Sequence, residues 1–77
     1  MKQTNIAKIM GIYELHCEQF EKRMNAGLYD IAYGHLCACL ALLTAGEIYE
    51  PDSVEVEQMQ CAQDVMRRWF FGNSDDE

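Results

Sequence analysis

Apolar side chains return along the first third of the chain at intervals that fit one face of an α-helix. Ile6, Met10, Tyr13, Cys17, Phe20 and Met24 are spaced by four, three, four, three and four residues, the seam of a helix packed lengthwise against another. Glu14, Glu18, Glu21, Lys22 and Arg23 fall on the opposite face. Glu18 stands four residues before Lys22, the order that helps a helix by about 0.2–0.5 kcal/mol. Gly11 interrupts the segment at a cost of about 1 kcal/mol relative to alanine. Asn25, Ala26 and Gly27 supply the stop, because glycine takes the left-handed conformation at a helix end without a Cβ penalty. The pattern predicts a helix over 5–25.

The second segment predicts a helix over 28–45 that is apolar almost all the way round, with Leu36 to Leu43 reading Leu, Cys, Ala, Cys, Leu, Ala, Leu, Leu. Such a helix belongs in the centre of a fold. Tyr29, Tyr33, Leu36, Leu40 and Leu43 form one stripe of large residues. Asp30, Gly34, Cys37, Ala41 and Thr44 form a second stripe of small or polar ones at the same spacing. A small-residue stripe lets a backbone approach closely, so Gly34, Cys37 and Ala41 are the candidate interface for a neighbouring helix, a second copy or a partner; the stripe equally suits water. Gly46 is expected to close this helix, with a connector from Glu47 to Pro51.

The third helix is expected over 53–71, with Asp52 as N-cap and Glu55 three residues later in a variant of the capping box. Met59, Ala62, Met66 and Trp69 make its inward stripe, supported by Val65 and Phe70, while Glu57, Gln60, Asp64 and Arg68 face out. Gly72 ends it, and residues 73–77 are too polar to pack, which predicts a disordered acidic tail. The expected architecture is all-α: a single domain over 1–72, an antiparallel bundle of three helices with the apolar second helix between the other two.

Length and charge then narrow what such a bundle does. A chain of 77 residues buries only about 60% of its unfolded surface, so a homo-oligomer is expected. The 49% apolar content with a single proline excludes a disordered chain. Six Lys and Arg against thirteen Asp and Glu give a net charge of −7 with no basic run, which argues against direct nucleic-acid binding. An acidic surface either keeps the protein soluble or meets a basic partner, in the limit by imitating nucleic-acid phosphates. The start, Met1 to Asn5, leads straight into an amphipathic segment. The weakly polar run Ile31–Gly46 holds sixteen residues, short of the ~20 that span a bilayer. These features predict a cytoplasmic protein with free thiols and no membrane partner.

Candidate chemistry is thin. His35 and Cys39 share a helix face at a spacing two metal ligands can use, with Cys17 or Cys61 to complete a site, but thiols on apolar stripes are ordinary core residues. Cys37 and Cys39 point about 200° apart on a helix, and His16 and Cys17 about 100° apart. Neither pair makes a chelate or a nucleophile with its base, and no cofactor or metal site is expected. The binding-like features are the cluster Arg67, Arg68, Trp69, Phe70 and Phe71, whose three consecutive aromatics cannot all enter one core, and Tyr49. Glu47, Glu50, Asp52, Glu55 and Glu57, within eleven residues free of Lys and Arg, are the candidates for contacting a basic partner surface.

The stretch Gly27, Tyr29, Ala32, Leu36, Cys39 and Leu42 is similar to the turn and second helix of a tetratricopeptide hairpin, over some sixteen residues. The first helix departs from that pattern at Phe20, where a small residue is usual, and no second repeat follows. The resemblance implies peptide or protein binding without catalysis. The expectation is an acidic protein-binding module, an adaptor, small chaperone or inhibitor. Two alternatives stand beside it: an acidic antagonist of a nucleic-acid-binding machine, of the kind phages and plasmids encode, and a thiol-based metal or redox sensor.

Overall fold

A computed structural model describes residues 5–72. They form a bundle of three helices, α1 Asn5–Asn25, α2 Tyr29–Tyr49 and α3 Val54–Phe71, with no strand among the described residues. The expected tail, 73–77, lies outside them.

Local chemistry sets the first turn as the sequence predicts. Gly27 adopts φ 78°, and two backbone bonds close the end of α1, Gly27 N–H to Met24 O at 3.1 Å and Leu28 N–H to Arg23 O at 2.8 Å. This pairing satisfies carbonyls that a helix end otherwise leaves open.

The second turn differs from expectation. Gly46 does not close α2; it lies inside the helix, which runs on to Tyr49. A Cβ built on Gly46 would sit 3.1 Å from Met59 Cε and 3.2 Å from both Ile6 Cδ1 and Val56 Cγ2. Glycine is there so that α2 can approach the first turns of both other helices. The N-cap of α3 is Ser53, not Asp52: its backbone is extended, and its Oγ accepts from Val56 N–H at 3.1 Å. Three residues after Ser53 stands Val56, so the carboxylate half of a capping box is missing. Glu55 and Glu57 still place negative charge at the positive end of the helix dipole.

Packing also redistributes the faces. Alternating small and large residues line the buried side of α2, Ala32, Leu36, Cys39, Leu43 and Gly46. Leu36 and Leu43 of the predicted large stripe are therefore inside, while Tyr29, Tyr33 and Leu40 are about half exposed. A helix apolar all round has no preferred side, and close approach at the small residues decides which side faces in. α2 is not interposed between its neighbours, because α1 meets α3 directly: Ile6, Tyr13 and Phe20 sit in a core shared with Val56, Met59 and Met66. On α3, Ala62 and Phe70 are partly buried, Val65 stays 64% exposed, and Gln63, unassigned from the sequence, is buried.

Because α2 extends to Tyr49, its 21 residues with mean hydropathy 1.5 over the most apolar window make it long and apolar enough to cross a membrane, by length and composition only. The sixteen-residue run Ile31–Gly46 was short by two residues at the start of this helix and three at its end. Only 28% of that window is buried, and its other residues divide between half-buried and exposed positions.

Gln63 ties the three helices together. Tyr13 Oη on α1 lies 2.8 Å from Gln63 Oε1 and 3.0 Å from Met59 O, and Gln63 Nε2 reaches Leu36 O on α2 at 3.4 Å. The hydroxyl has one hydrogen for two acceptors, and burial, with the neighbouring Cys17 and Cys39 thiols, raises its pKa far above the ordinary value of 10.0. A raised folded-state pKa gives stability that is complete below the unfolded value and is lost as pH climbs above it. Cys39 behaves alike from 9.0 upward, held protonated by contact with Cys17 and by burial. Stability measured by urea unfolding should therefore decline above about pH 9. Tyr13→Phe should remove the part that begins near pH 10.0, at a cost of about 1–3 kcal/mol at neutral pH for stranding Gln63 Oε1. An unchanged alkaline slope in that variant would show that Tyr13 does not carry it.

Candidate protein-binding site

One end of the bundle is aromatic. Successive helix positions diverge by about 100°, so Trp69, Phe70 and Phe71 leave α3 in three directions. Phe70 goes inward between Phe20, at a ring-centroid distance of 6.5 Å, and Tyr33, at 5.4 Å. Trp69 and Phe20 meet edge to face at 5.6 Å with an interplanar angle of 87°. Phe71 closes on Tyr33 and Phe70 from outside. No single ring is spare: Trp69 remains 41% exposed and Phe71 45%. Two apolar depressions flank the tryptophan. A groove of about 410 Å³ is lined by Met24, Tyr29, Trp69 and Phe70. A trough of about 370 Å³ between α1 and α3 is lined by Cys17, Phe20, Glu21, Ala62, Val65, Met66 and Trp69. Arg67 and Arg68 both turn back to Asp64, at 3.3 and 3.0 Å, exposed pairs worth at most about 1 kcal/mol each.

Tyr49 does not join this cluster. It is the last residue of α2, whereas Tyr33 lies in its second turn, a separation of about 24 Å at 1.5 Å per residue. The acidic group lies with Tyr49: Glu47, Glu50, Asp52 and Glu57 are exposed and Glu55 is half-buried around the turn from α2 to α3. Gln60 Nε2 donates to Glu47 Oε2 at 3.1 Å across that turn. The two sets of candidate residues thus occupy opposite ends of the bundle. Gly34, Cys37 and Ala41 are exposed on the outer face of α2 beside Tyr33 and Leu40, and nothing approaches Gly34 within 4 Å of a built Cβ.

Histidines and thiols pair across the seam of α1 and α2 in a way the sequence does not announce. His16 Nδ1 lies 2.9 Å from His35 Nδ1, so one ring donates and the other accepts. Burial, then the charges of His16 and Arg23, lower the His35 pKa. The Cys39 thiol donates to Tyr13 O at 3.9 Å and lies beside the Cys17 thiol. That contact lowers the Cys17 pKa, opposed by burial and by Glu14 and Glu18. His35 and Cys39, one turn apart, are thus engaged with different partners, as are His16 and Cys17. Among the described residues no three His, Cys, Asp or Glu side chains converge on one point.

The trough is the feature that reading the sequence missed. Its signal was a second apolar stripe on α3, Ala62, Val65 and Trp69, displaced by one helix position from the core stripe Met59, Gln63, Met66. No protein-family model, curated protein or solved structure matches the chain. The likeness of Gly27–Leu42 to a tetratricopeptide hairpin rests on those residues alone.

Proposed function

We propose that this chain is a small acidic protein-binding module, an adaptor, small chaperone or inhibitor, that works without catalysis in the cytoplasm and touches neither nucleic acid nor membrane directly. The observation that carries the reading is Trp69: a large aromatic, anchored on Phe20 yet 41% exposed, with an apolar depression on either side. Interface hot spots favour such residues. The bundle is read as antiparallel between α1 and α2, supported by the order of their contacts, Tyr13 with Cys39 and His16 with His35. Self-association through the open apolar side of α2, at Gly34, Cys37 and Ala41, is part of the proposal, and native mass spectrometry reads the subunit count.

The second reading, an acidic antagonist of a nucleic-acid-binding machine, is favoured by the five carboxylates gathered at the α2–α3 turn. Affinity capture from host lysate separates the two. The first expects Trp69→Ala to lose the captured protein, and the fourfold change Glu47→Gln, Glu50→Gln, Glu55→Gln, Glu57→Gln to keep it. The reverse outcome selects the second reading, and no capture by the unaltered protein defeats both.

A further inference from the structure

We propose that the trough between α1 and α3 seats a basic amphipathic helix of a partner protein, laid lengthwise as a fourth helix of the bundle. This rests on the reading of the chain as a protein-binding module and names the chemistry of what it binds.

The shape argument comes first. Two helices that pack side by side leave a furrow along their outer junction, and a third can fill it at an axis separation of about 8–10 Å. Between α1 and α2 the junction is extensively packed. α3 adds far less contact to either neighbour, and on the side away from α2 its junction with α1 is open. From Ala62 to Trp69 the open stretch covers eight residues, about 10 Å or two helical turns. Its floor is Phe20 and Met66, both buried, and its α3 wall is Ala62, Val65 and Trp69. An extended peptide would find no free sheet edge here to pair with, whereas a helix presenting apolar residues at i, i+3, i+4 and i+7 fits a furrow of this kind.

Charge then selects the occupant. Glu14, Glu18 and Glu21, expected from the sequence opposite the apolar seam, instead flank it on the side of α1 that borders the trough, with Lys22 farther round the helix beyond Glu18: Glu21 is part of the lining, and Glu14 and Glu18 both act electrostatically on Cys17, which also lines it. The neighbouring exposed positions of α3 are the uncharged Gln58 and Cys61, and Arg68 is bound to Asp64. An apolar floor with a row of carboxylates along one rim complements a helix with an apolar face and lysines or arginines beside it. A second copy of this chain is disfavoured here, since with a net charge of −7 it brings further carboxylates to the same rim.

The probe is a synthetic peptide of about 16 residues, leucine at the i, i+3, i+4 and i+7 positions and lysine elsewhere, titrated into the full chain. Binding is read from the fluorescence of Trp69, the only tryptophan. Val65→Asn changes an exposed side chain and leaves the core intact, so the variant folds. It should weaken binding about tenfold. The triple change Glu14→Gln, Glu18→Gln, Glu21→Gln should do the same and flatten the dependence on salt between about 0.05 and 0.5 M. Glu47→Gln, Glu50→Gln, Glu57→Gln removes equal charge at the far turn and should leave affinity within about twofold. Equal losses from both triple variants, or equal binding of a leucine–glutamate peptide, would mean unspecific attraction and would overturn the proposal. So would a dimer that Val65→Asn converts to monomer. If lysate capture depends on Trp69 while the peptide fails to bind, this inference falls and the binding-module reading stands; if neither binds, the reading itself falls.

Discussion

Replacing Phe20 with alanine is expected to destabilise the bundle by about 3–5 kcal/mol. A domain of 77 residues has a total stability of only about 4–12 kcal/mol, so the variant should lose about a quarter of its stability or more. The ring is 1% exposed and it is where α1 meets the aromatic end: Trp69 meets it edge to face and Phe70 packs tilted against it. Alanine would leave a cavity under Trp69 that neighbours anchored to two helices cannot close. Urea unfolding monitored by tryptophan fluorescence gives the change directly, and Phe20→Leu should recover more than half of it. A loss below about 1 kcal/mol would mean that the aromatic end packs without Phe20 as its floor.

The second large effect concerns Gly46. Gly46→Leu would place four carbon atoms where even the first would lie 3.1–3.2 Å from side chains of α1 and α3. A cost of about 3 kcal/mol follows from overpacking, against roughly 1 kcal/mol gained in helix propensity. Gly46→Ala is the graded control: Met59 Cε and Ile6 Cδ1 are ends of flexible chains that can yield by a few tenths of an ångström, so the net effect should lie well below that of leucine. Thermal unfolding of the pair checks this. If Gly46→Leu were as stable as the unaltered chain, α2 could not approach its neighbours as closely as described.

Both residues mark how far the fold was legible beforehand. Phe20 lay in a plain repeat of apolar positions opposite a charged face, and the core of α1 followed that repeat. Gly46 carried no such signal, because glycine ends helices by its backbone freedom and also lets helices touch by its lack of a side chain. Local sequence does not distinguish these uses. The same ambiguity moved the N-cap from Asp52 to Ser53, since both residues cap helices well. Gln63 was unreadable for a different reason: a glutamine enters a core only where a partner such as Tyr13, fifty positions away, offers it hydrogen bonds.

For the candidate site, composition was enough to single out Trp69, Phe70 and Phe71, but not to separate them from Tyr49. That separation depends on α2 running straight for its full length, which sets Tyr49 at the acidic end. The trough depends on three helices rather than one. Val65 reads as core from its apolar side chain, and only the position of α1 leaves it on an open wall.

Periodicity and end signals along the chain were sufficient to determine three helices, the seam of α1 and the turn at Gly27, because each is settled by neighbours within one or two helical turns. Tertiary structure decided which side of α2 faces inward, where α2 stops, which polar side chain is buried and where apolar surface is left open. Those outcomes are set by the closest approach of residues far apart in sequence, and a helix apolar on every side carries no local preference among them.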